Sequence, residues 1–204
     1  DEGSQLVALA LARAAVASRE RRWLDLCSGP GGKAALLAGL AADDAHGAAA
    51  LVAVEPHAHR AAMVRQALGI PADPVPGLAS VICADARTRP WGELRFDRVL
   101  VDAPCTGIGA LRRRPEARWR RAPADLVALG PLQRDLLQVG LSAVAPGGVV
   151  AYVTCSPHLG ETQAVVDDAL AGAFGLEVLD ARALLPEVPD CGEGPFVQLW
   201  PHRH

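Results

Sequence analysis

The chain is predicted to fold as an α/β domain built on a mostly parallel, doubly wound sheet. Short apolar segments alternate with helical segments along most of the sequence, which is the pattern of right-handed β-α-β units. A glycine-rich turn follows the first apolar segment, and an acidic residue ends each of three later ones. In such a sheet the carboxyl ends of the strands line one crevice, so these features predict a ligand site there.

Five segments have the length and apolar content of buried strands. The predicted strands are residues 22–27, 50–55, 80–84, 96–102 and 149–154. Residues 176–179 and 195–200 have weaker strand patterns and are predicted to pair as a C-terminal antiparallel hairpin. The sheet is therefore expected to be parallel except at its last two strands.

The helical segments are bounded by local signals. Ser4 is predicted to cap a first helix that runs to about residue 18. Pro56 is predicted to open a helix, because its missing N–H is not needed at a first helical position. Further helices are expected over residues 34–40, 123–144 and 161–171, and the long one is expected to end at the Pro-Gly-Gly of 146–148.

Composition limits the class of protein. With 204 residues, of which 50% are hydrophobic, the chain suits a single domain spanning residues 1–204. Met63 is the only methionine, so the chain is expected to be a fragment that lacks an N-terminal portion. No apolar run approaches the roughly 18 residues that span a bilayer, so no membrane partner is expected. We expect a monomer.

The cysteines and the charge balance bear on the cellular location and on the partners of the protein. Five scattered cysteines without zinc-ligand spacing predict free thiols, a reducing cytoplasmic location and no metal. The net charge of −3 does not suggest a protein coated in nucleic acid. The charge is uneven, however, because six arginines fall within residues 112–121.

The glycine turn at residues 25–33 fits neither common phosphate-binding motif. The dinucleotide pattern fails because position 34 is Ala, and the P-loop fails because no Ser or Thr follows Lys33. Glu55, Asp85 and Asp102 end three strands and would accept hydrogen bonds from ribose, adenine and amine groups. S-adenosylmethionine needs such acceptors and has no phosphate, so it is the favoured ligand. A turn with a structural role alone is the alternative.

Two cysteines end predicted strands, Cys105 after Asp102 and Cys155 after Thr154. Carbon 5 of a pyrimidine is a poor nucleophile until a thiolate adds to carbon 6. Such chemistry needs an activated thiol, a group that contacts the edge of the base and a means of eliminating the thiol. The two cysteines supply thiols and Asp102 supplies the edge contact, although buried cysteines are more often small apolar core residues.

The arginine cluster lies close to the first of these cysteines in sequence. It is interpreted as a loop that grips RNA phosphates, with Trp119 stacking on a base. The predicted RNA-binding residues are Arg112, Arg113, Arg114, Arg118 and Trp119. A solvated basic face that pairs with Glu116 and Asp125 is the alternative.

With these motifs, the chain resembles the RNA 5-methylcytosine methyltransferases of the RsmB/Sun type over nearly its whole length. Those proteins carry Asp-Leu-Cys-Ala-Ala-Pro-Gly-Gly-Lys, and this chain has Asp-Leu-Cys-Ser-Gly-Pro-Gly-Gly-Lys at 25–33. They also carry Asp-Ala-Pro-Cys-Ser/Thr-Gly, present here at 102–107, Arg-Arg-x-Pro-Asp, present as Arg-Arg-Arg-Pro-Glu at 112–116, and the Thr-Cys-Ser of 154–156. The Ala at position 34 replaces the usual Thr.

The resemblance implies a Rossmann-like class I fold that uses S-adenosylmethionine to methylate carbon 5 of cytosine in RNA. Cys155 would be the nucleophile, Cys105 would assist product release, and Asp102 would lie between cofactor and base. The implied cofactor-binding residues are Cys27, Ser28, Gly29, Pro30, Gly31, Gly32, Lys33, Glu55, Asp85 and Asp102. The N-terminal RNA-binding domain usual in the RsmB branch would be absent from this fragment, and residues 201–204 resemble a segment that normally continues.

Several alternatives stay open. The implied substrate is small-subunit (16S) ribosomal RNA first and transfer RNA second. Cys105 would be the nucleophile if the chemistry followed the DNA cytosine-5 methyltransferases. A non-catalytic RNA-binding module is a further alternative, and a nicotinamide dehydrogenase is disfavoured by the missing glycine pattern.

Overall fold

The computed structural model describes residues 2–17, 20–43, 49–70 and 79–200. The chain forms two compact units, each assembled from two separate segments. Unit 1 comprises Asp1–Asp102 and Val139–Ala151, and unit 2 comprises Ala103–Gln138 and Tyr152–His204. The prediction of a single catalytic domain stays a prediction.

Unit 1 is built around the sheet. The strands are β1 (Arg22–Asp25), β2 (Ala50–Val54), β3 (Ala79–Ile82), β4 (Phe96–Asp102) and β5 (Val144–Val153), whose last two residues belong to unit 2. Their order across the sheet is β3-β2-β1-β4-β5, and β1 pairs in parallel with both β2 and β4. The predicted doubly wound, Rossmann-like fold of class I methyltransferases is confirmed.

The strand order places a topological switch point between β1 and β4. In doubly wound sheets the ligand crevice opens at that point, outside the carboxyl ends of the strands. Asp25 is the register partner of Leu100, and the Leu26 N–H donates to the Leu100 carbonyl over 3.0 Å. The turn after β1 and Asp102 at the end of β4 therefore lie at the same edge of the sheet.

The helices of unit 1 pack on this sheet. They are α1 (Glu2–Arg13), α2 (Gly32–Ala41) and α3 (Ala58–Ala67). α2 contacts α1, α3 and β2, and it buries Ala34, Leu37 and Ala41. These residues lie three to four positions apart, so they share the helix face that covers the sheet. α2 begins directly at the glycine turn, whose position is thereby fixed by the core.

A buried ion pair secures the end of α1 to β4. Arg98 on β4 is 3% exposed, and its guanidinium donates to Glu20 Oε2 at 2.7 Å and Oε1 at 2.8 Å. It also donates to the carbonyls of Leu11 and Ala14 and lies 5.3 Å from the centre of the Trp23 ring. Four of the five guanidinium N–H groups thus have an acceptor, and Glu20 supplies the opposite charge that a buried guanidinium needs.

Unit 2 carries the remaining helices. They are α4 (Ala117–Arg120), α5 (Pro123–Ala143), whose last five residues belong to unit 1, and α6 (Gln163–Ala171). Single 3₁₀ turns lie at Ile108–Ala110, Leu159–Glu161 and Ala181–Leu184. None of the described helices is long and apolar enough to cross a membrane.

The structure differs from the sequence predictions at several boundaries. The C-terminal hairpin is not confirmed, because residues 172–200 contain no strand and the segment instead holds the Ala181–Leu184 turn. Ser4 does not cap α1, since the helix has already begun at Glu2. The fifth strand begins at Val144 rather than 149, directly after α5. Residues 18 and 201–204 lie outside the described part of the chain.

Candidate functional site

The glycine turn is shaped for close approach by a ligand. Gly31 has φ +114°, and a Cβ there would lie 2.7 Å from Ala67 Cβ, so only glycine fits. At Gly32, by contrast, an added Cβ would meet no described protein atom within 4 Å. The open side of the turn is therefore at Gly32, the first residue of α2, and Pro30 beside it is exposed. Backbone N–H groups at such a helix start can face a polar ligand.

Glu55 braces this turn from the end of β2. Its side chain is 2% exposed, and Oε2 accepts the Gly29 N–H over 3.2 Å. Oε1 accepts the His57 N–H at 3.0 Å and contacts His57 Nδ1 at 3.0 Å. Arg60 also contacts both Glu55 and the Gly29 carbonyl, at 3.6 and 2.6 Å. The predicted ribose acceptor is thus also a structural support of the glycine turn.

Asp102 and Asp85 have different partners. Asp102 Oδ2 lies 2.9 Å from Lys33 Nζ, and both side chains are mostly buried. This ion pair joins the end of β4 to the first turn of α2. Asp85 accepts three hydrogen bonds from the Arg87 side chain and one from its N–H, which together lower the pKa of Asp85. Asp85 and Arg87 are exposed enough that a ligand could rearrange them.

Cys27 and Ser28 occupy the start of the turn. Ser28 is buried, and both its N–H and its hydroxyl donate to the Val54 carbonyl over 3.0 Å. Burial and the nearby Asp25 carboxylate raise the pKa of the Cys27 thiol, so this thiol stays protonated. The Ser28 side chain therefore holds the backbone of the turn in place, and a role in chemistry is not indicated for the Cys27 thiol.

Asp25 is a site residue that the sequence reasoning did not single out. It is fully buried, its Oδ1 accepts the Cys27 N–H at 3.3 Å, and its Oδ2 has no hydrogen-bond partner among the described residues. Burial and repulsion from Asp102 raise the pKa of Asp25 to about 7. Its place at the end of β1, beside the glycine turn, was the available signal.

The switch-point edge of unit 1 thus combines an open glycine turn, carboxylates from β1, β2 and β4, and one ammonium group. These groups fit a ligand with hydroxyl, amine and carboxylate groups and no phosphate. S-adenosylmethionine has that set of groups. The residues that would hold it are Gly32, Lys33, Glu55, Asp85 and Asp102, with Asp25 beneath the turn.

The two predicted catalytic cysteines lie together in unit 2. Cys105 Sγ and Cys155 Sγ are 3.4 Å apart, and Cys155 is exposed while Cys105 is half-buried. Contact with the Cys155 thiol and burial raise the pKa of Cys105. Cys155 is the more accessible sulfur of the pair. None of the five cysteines, all of them within the described residues, forms a disulfide.

A buried carboxylate joins the two cysteine-bearing segments. Glu161, 1% exposed, accepts the Thr106 N–H at 2.8 Å and the Thr106 hydroxyl at 2.5 Å. It also accepts the Gln133 amide at 3.0 Å and a hydrogen bond from Ser156. Burial alone would raise the pKa of Glu161, but these hydrogen bonds lower it overall. The sequence analysis missed Glu161, which looked like the first residue of a helix.

The arginine cluster is on the surface of unit 2. Arg112, Arg113 and Arg114 are exposed, and Trp119 in α4 is 84% exposed. Arg121 lies 4.0 Å from Asp125, so part of the cluster pairs as the alternative interpretation expected. An indole this exposed makes little contribution to a core. The RNA-binding role of these residues stays a prediction.

No group of three or more potential metal ligands is found in the ranges that the structure describes.

Comparison with known proteins gives the family. The family described as 16S rRNA methyltransferase RsmB/F matches residues 13–204. The chain belongs to this family. A ribosomal RNA small subunit methyltransferase B from Sodalis glossinidius is 35% identical over 185 residues, which cover 85% of this chain and 40% of that protein.

Two further matches cover the whole chain. A Mycobacterium tuberculosis protein is 55% identical to this chain, and 42% of that protein is covered. Its name proposes that it is a methyltransferase and gives no substrate. The crystal structure of PH0851 superimposes with a TM-score of 0.79 and 27% identity, covering 43% of that chain. The present chain thus spans less than half the length of these relatives.

Proposed function

We propose that this RsmB/F family chain is the catalytic part of an S-adenosylmethionine-dependent methyltransferase that acts on carbon 5 of cytosine in small-subunit (16S) ribosomal RNA. The observation that carries the proposal is the pair of thiols 3.4 Å apart, one exposed and one half-buried with a raised pKa. Addition to carbon 6 needs an accessible thiolate, and later expulsion of the sulfur needs a neighbouring group that assists its release.

The proposed roles follow from the different exposure of the two thiols. Cys155 adds as a thiolate to carbon 6 of the cytosine and makes carbon 5 nucleophilic. S-adenosylmethionine, when bound, supplies the activated methyl group that carbon 5 takes up. The proton on carbon 5 then leaves to a base, the carbon 5–carbon 6 double bond re-forms, and the Cys155 sulfur departs. Cys105, whose sulfur lies 3.4 Å from that of Cys155, is the proposed group that assists this release.

Unit 1 supports the cofactor side of the proposal. Glu55 and Asp85 are the proposed acceptors for ribose and adenine, and Gly32 offers open backbone. The Lys33–Asp102 pair would contact the amino-acid portion and keep Asp102 oriented. Asp102 is also the proposed contact for the edge of the target base.

The experiment is covalent trapping on RNA that contains 5-azacytidine, with S-adenosylmethionine present. The wild-type chain should form an adduct that survives denaturing electrophoresis. Cys155→Ala should abolish it. Cys105→Ala should retain or increase the covalent adduct. It should do so even on RNA that contains ordinary cytosine, because release of the methylated product is impaired. If Cys105→Ala abolished the adduct and Cys155→Ala retained it, Cys105 would be the nucleophile.

A non-catalytic RNA-binding module would give a different pattern. It would bind RNA but form no adduct in any variant, and calorimetry would show no S-adenosylmethionine binding at millimolar concentration.

A further inference from the structure

We infer that Glu161 is a positioning residue that holds Cys105 and Cys155 in contact. The inference deepens the proposed function and rests on it for its catalytic consequence, but the geometry on which it depends can be tested without any RNA.

The two sulfurs belong to segments 50 residues apart in sequence. Hydrogen bonds join these segments near the sulfurs. The Gly109 N–H donates to the Cys155 carbonyl over 2.9 Å, and the Thr106 hydroxyl lies 3.3 Å from Ser156 Oγ. Thr106 and Ser156 directly follow Cys105 and Cys155, so their position determines where the sulfurs lie.

Glu161 binds both of these neighbours. Its carboxylate accepts from the Thr106 N–H and hydroxyl and from Ser156, and it therefore connects the residue after each cysteine. Gln133 adds a second brace, because its amide donates to Glu161 Oε1 at 3.0 Å and to the Pro104 carbonyl at 2.9 Å. Pro104 directly precedes Cys105.

The anion is the form that this arrangement favours. An ionised carboxylate only accepts, and four donors converge on it here. Charge-assisted hydrogen bonds are about twice as strong as neutral ones. The segment that carries Glu161 is itself fixed, because the Tyr152 hydroxyl donates to the Glu161 carbonyl over 2.8 Å.

The first test measures proximity of the thiols. Oxidised glutathione converts Cys105 and Cys155 to a disulfide, and the two thiols give up two protons and two electrons as two molecules of glutathione are released. The rate of this crosslink is followed by peptide mapping under non-reducing conditions. Glu161→Ala should slow it about tenfold or more, because the loss of buried hydrogen bonds releases both segments.

Conservative and control variants separate positioning from general stability. Glu161→Gln keeps one carboxyl-like oxygen, and the Thr106 and Ser156 hydroxyls can accept from its amide, so the crosslink rate should stay within about threefold of wild type. Glu177→Ala, which removes an exposed carboxylate of unit 2, should change nothing. If Glu161→Ala fails to fold, Thr106→Val is decisive and should slow the crosslink severalfold.

The second test is the trapping reaction. Glu161→Ala should reduce the rate of adduct formation on 5-azacytidine RNA about 10- to 100-fold, with the affinity for S-adenosylmethionine unchanged. A folded Glu161→Ala protein, or Thr106→Val protein, with the wild-type crosslink rate would overturn the inference. A wild-type protein that crosslinks normally but never traps RNA would instead overturn the proposed function and leave the positioning role standing on the crosslink rates.

Discussion

Lys33 Nζ lies 2.9 Å from Asp102 Oδ2, so the only lysine of the chain is paired with the carboxylate that ends β4. An exposed pair of this kind contributes little, but both of these side chains are mostly buried. The pair joins the first turn of α2 to the switch point of the sheet. It therefore links the glycine turn to the acid proposed to contact the cytosine.

Lys33→Ala should weaken S-adenosylmethionine binding about tenfold, because Asp102 loses its partner and the ligand loses a cation that can contact its carboxylate. Isothermal calorimetry measures the change. Arg65→Ala on α3 removes a positive charge elsewhere in unit 1 and should leave the affinity unchanged. Equal affinity of the Lys33→Ala protein would remove Lys33 from the proposed site.

Gly31→Ala and Gly32→Ala form a matched pair. Alanine at Gly31 meets Ala67 at 2.7 Å and must adopt φ +114°, so the free energy of unfolding should fall by about 2–3 kcal/mol. Alanine at Gly32 meets no described atom and should leave stability unchanged or slightly increased. It should nevertheless weaken cofactor binding if the ligand contacts this backbone. Urea unfolding and calorimetry on both variants separate the two effects.

Asp25→Asn should stabilise the protein in a pH-dependent way. The pKa of Asp25 is raised to about 7, so its ionisation disfavours the folded state. This penalty is absent below the unfolded pKa of about 4, grows between pH 4 and 7, and is complete above pH 7, where it reaches roughly 4 kcal/mol at most.

The measurement for Asp25→Asn is urea unfolding at pH 4.5 and at pH 8. The variant should gain stability at pH 8 and little at pH 4.5. Asp167→Asn, at an exposed position of α6, should show no such difference. A gain of the same size at both pH values would contradict the raised pKa.

Trp119→Ala should weaken RNA binding by about 1–3 kcal/mol if the indole stacks on a base. The side chain is 84% exposed, so thermal stability should not change. Phe174 is fully exposed in the same unit and outside the arginine cluster, which makes Phe174→Ala the control. Equal losses in the two variants would indicate nonspecific contact. Fluorescence anisotropy with labelled ribosomal RNA fragments measures both.

Much of unit 1 could be predicted from the sequence because local patterns determine it. The strand Phe96–Asp102 was bounded correctly, since it is a short apolar run that ends in a polar residue, and the other four predicted strands were found with different end residues. The glycine turn was also recognised, because its glycines form a short local pattern directly after the first strand. The C-terminal hairpin was not confirmed, because its two apolar stretches are separated by 15 residues, which is too long a connection for a tight turn to fix a register.

The supporting residues of the site were harder to find than the cysteines. Cys105 and Cys155 follow strands and could be paired by motif, whereas the role of Glu161 depends on contacts with residues 28 and 55 positions away. The role of Asp25 was equally hard to predict from the sequence. Its raised pKa, and the lack of a hydrogen-bond partner for its Oδ2 among the described residues, are consequences of burial. Sequence patterns report spacing along the chain, and these properties arise from tertiary packing.

Because each unit is assembled from two separate segments, neither unit can be expressed by simply truncating the gene. Unit 1 takes β5 residues 144–151 from beyond an intervening stretch of unit 2, so no continuous piece of the sequence encodes it. An expression product that stopped at residue 102 would lack β5 and leave the outer side of β4 unpaired. Such an edge of apolar β-structure invites aggregation. Fragment studies of the glycine turn would therefore require a circularly permuted or internally shortened chain.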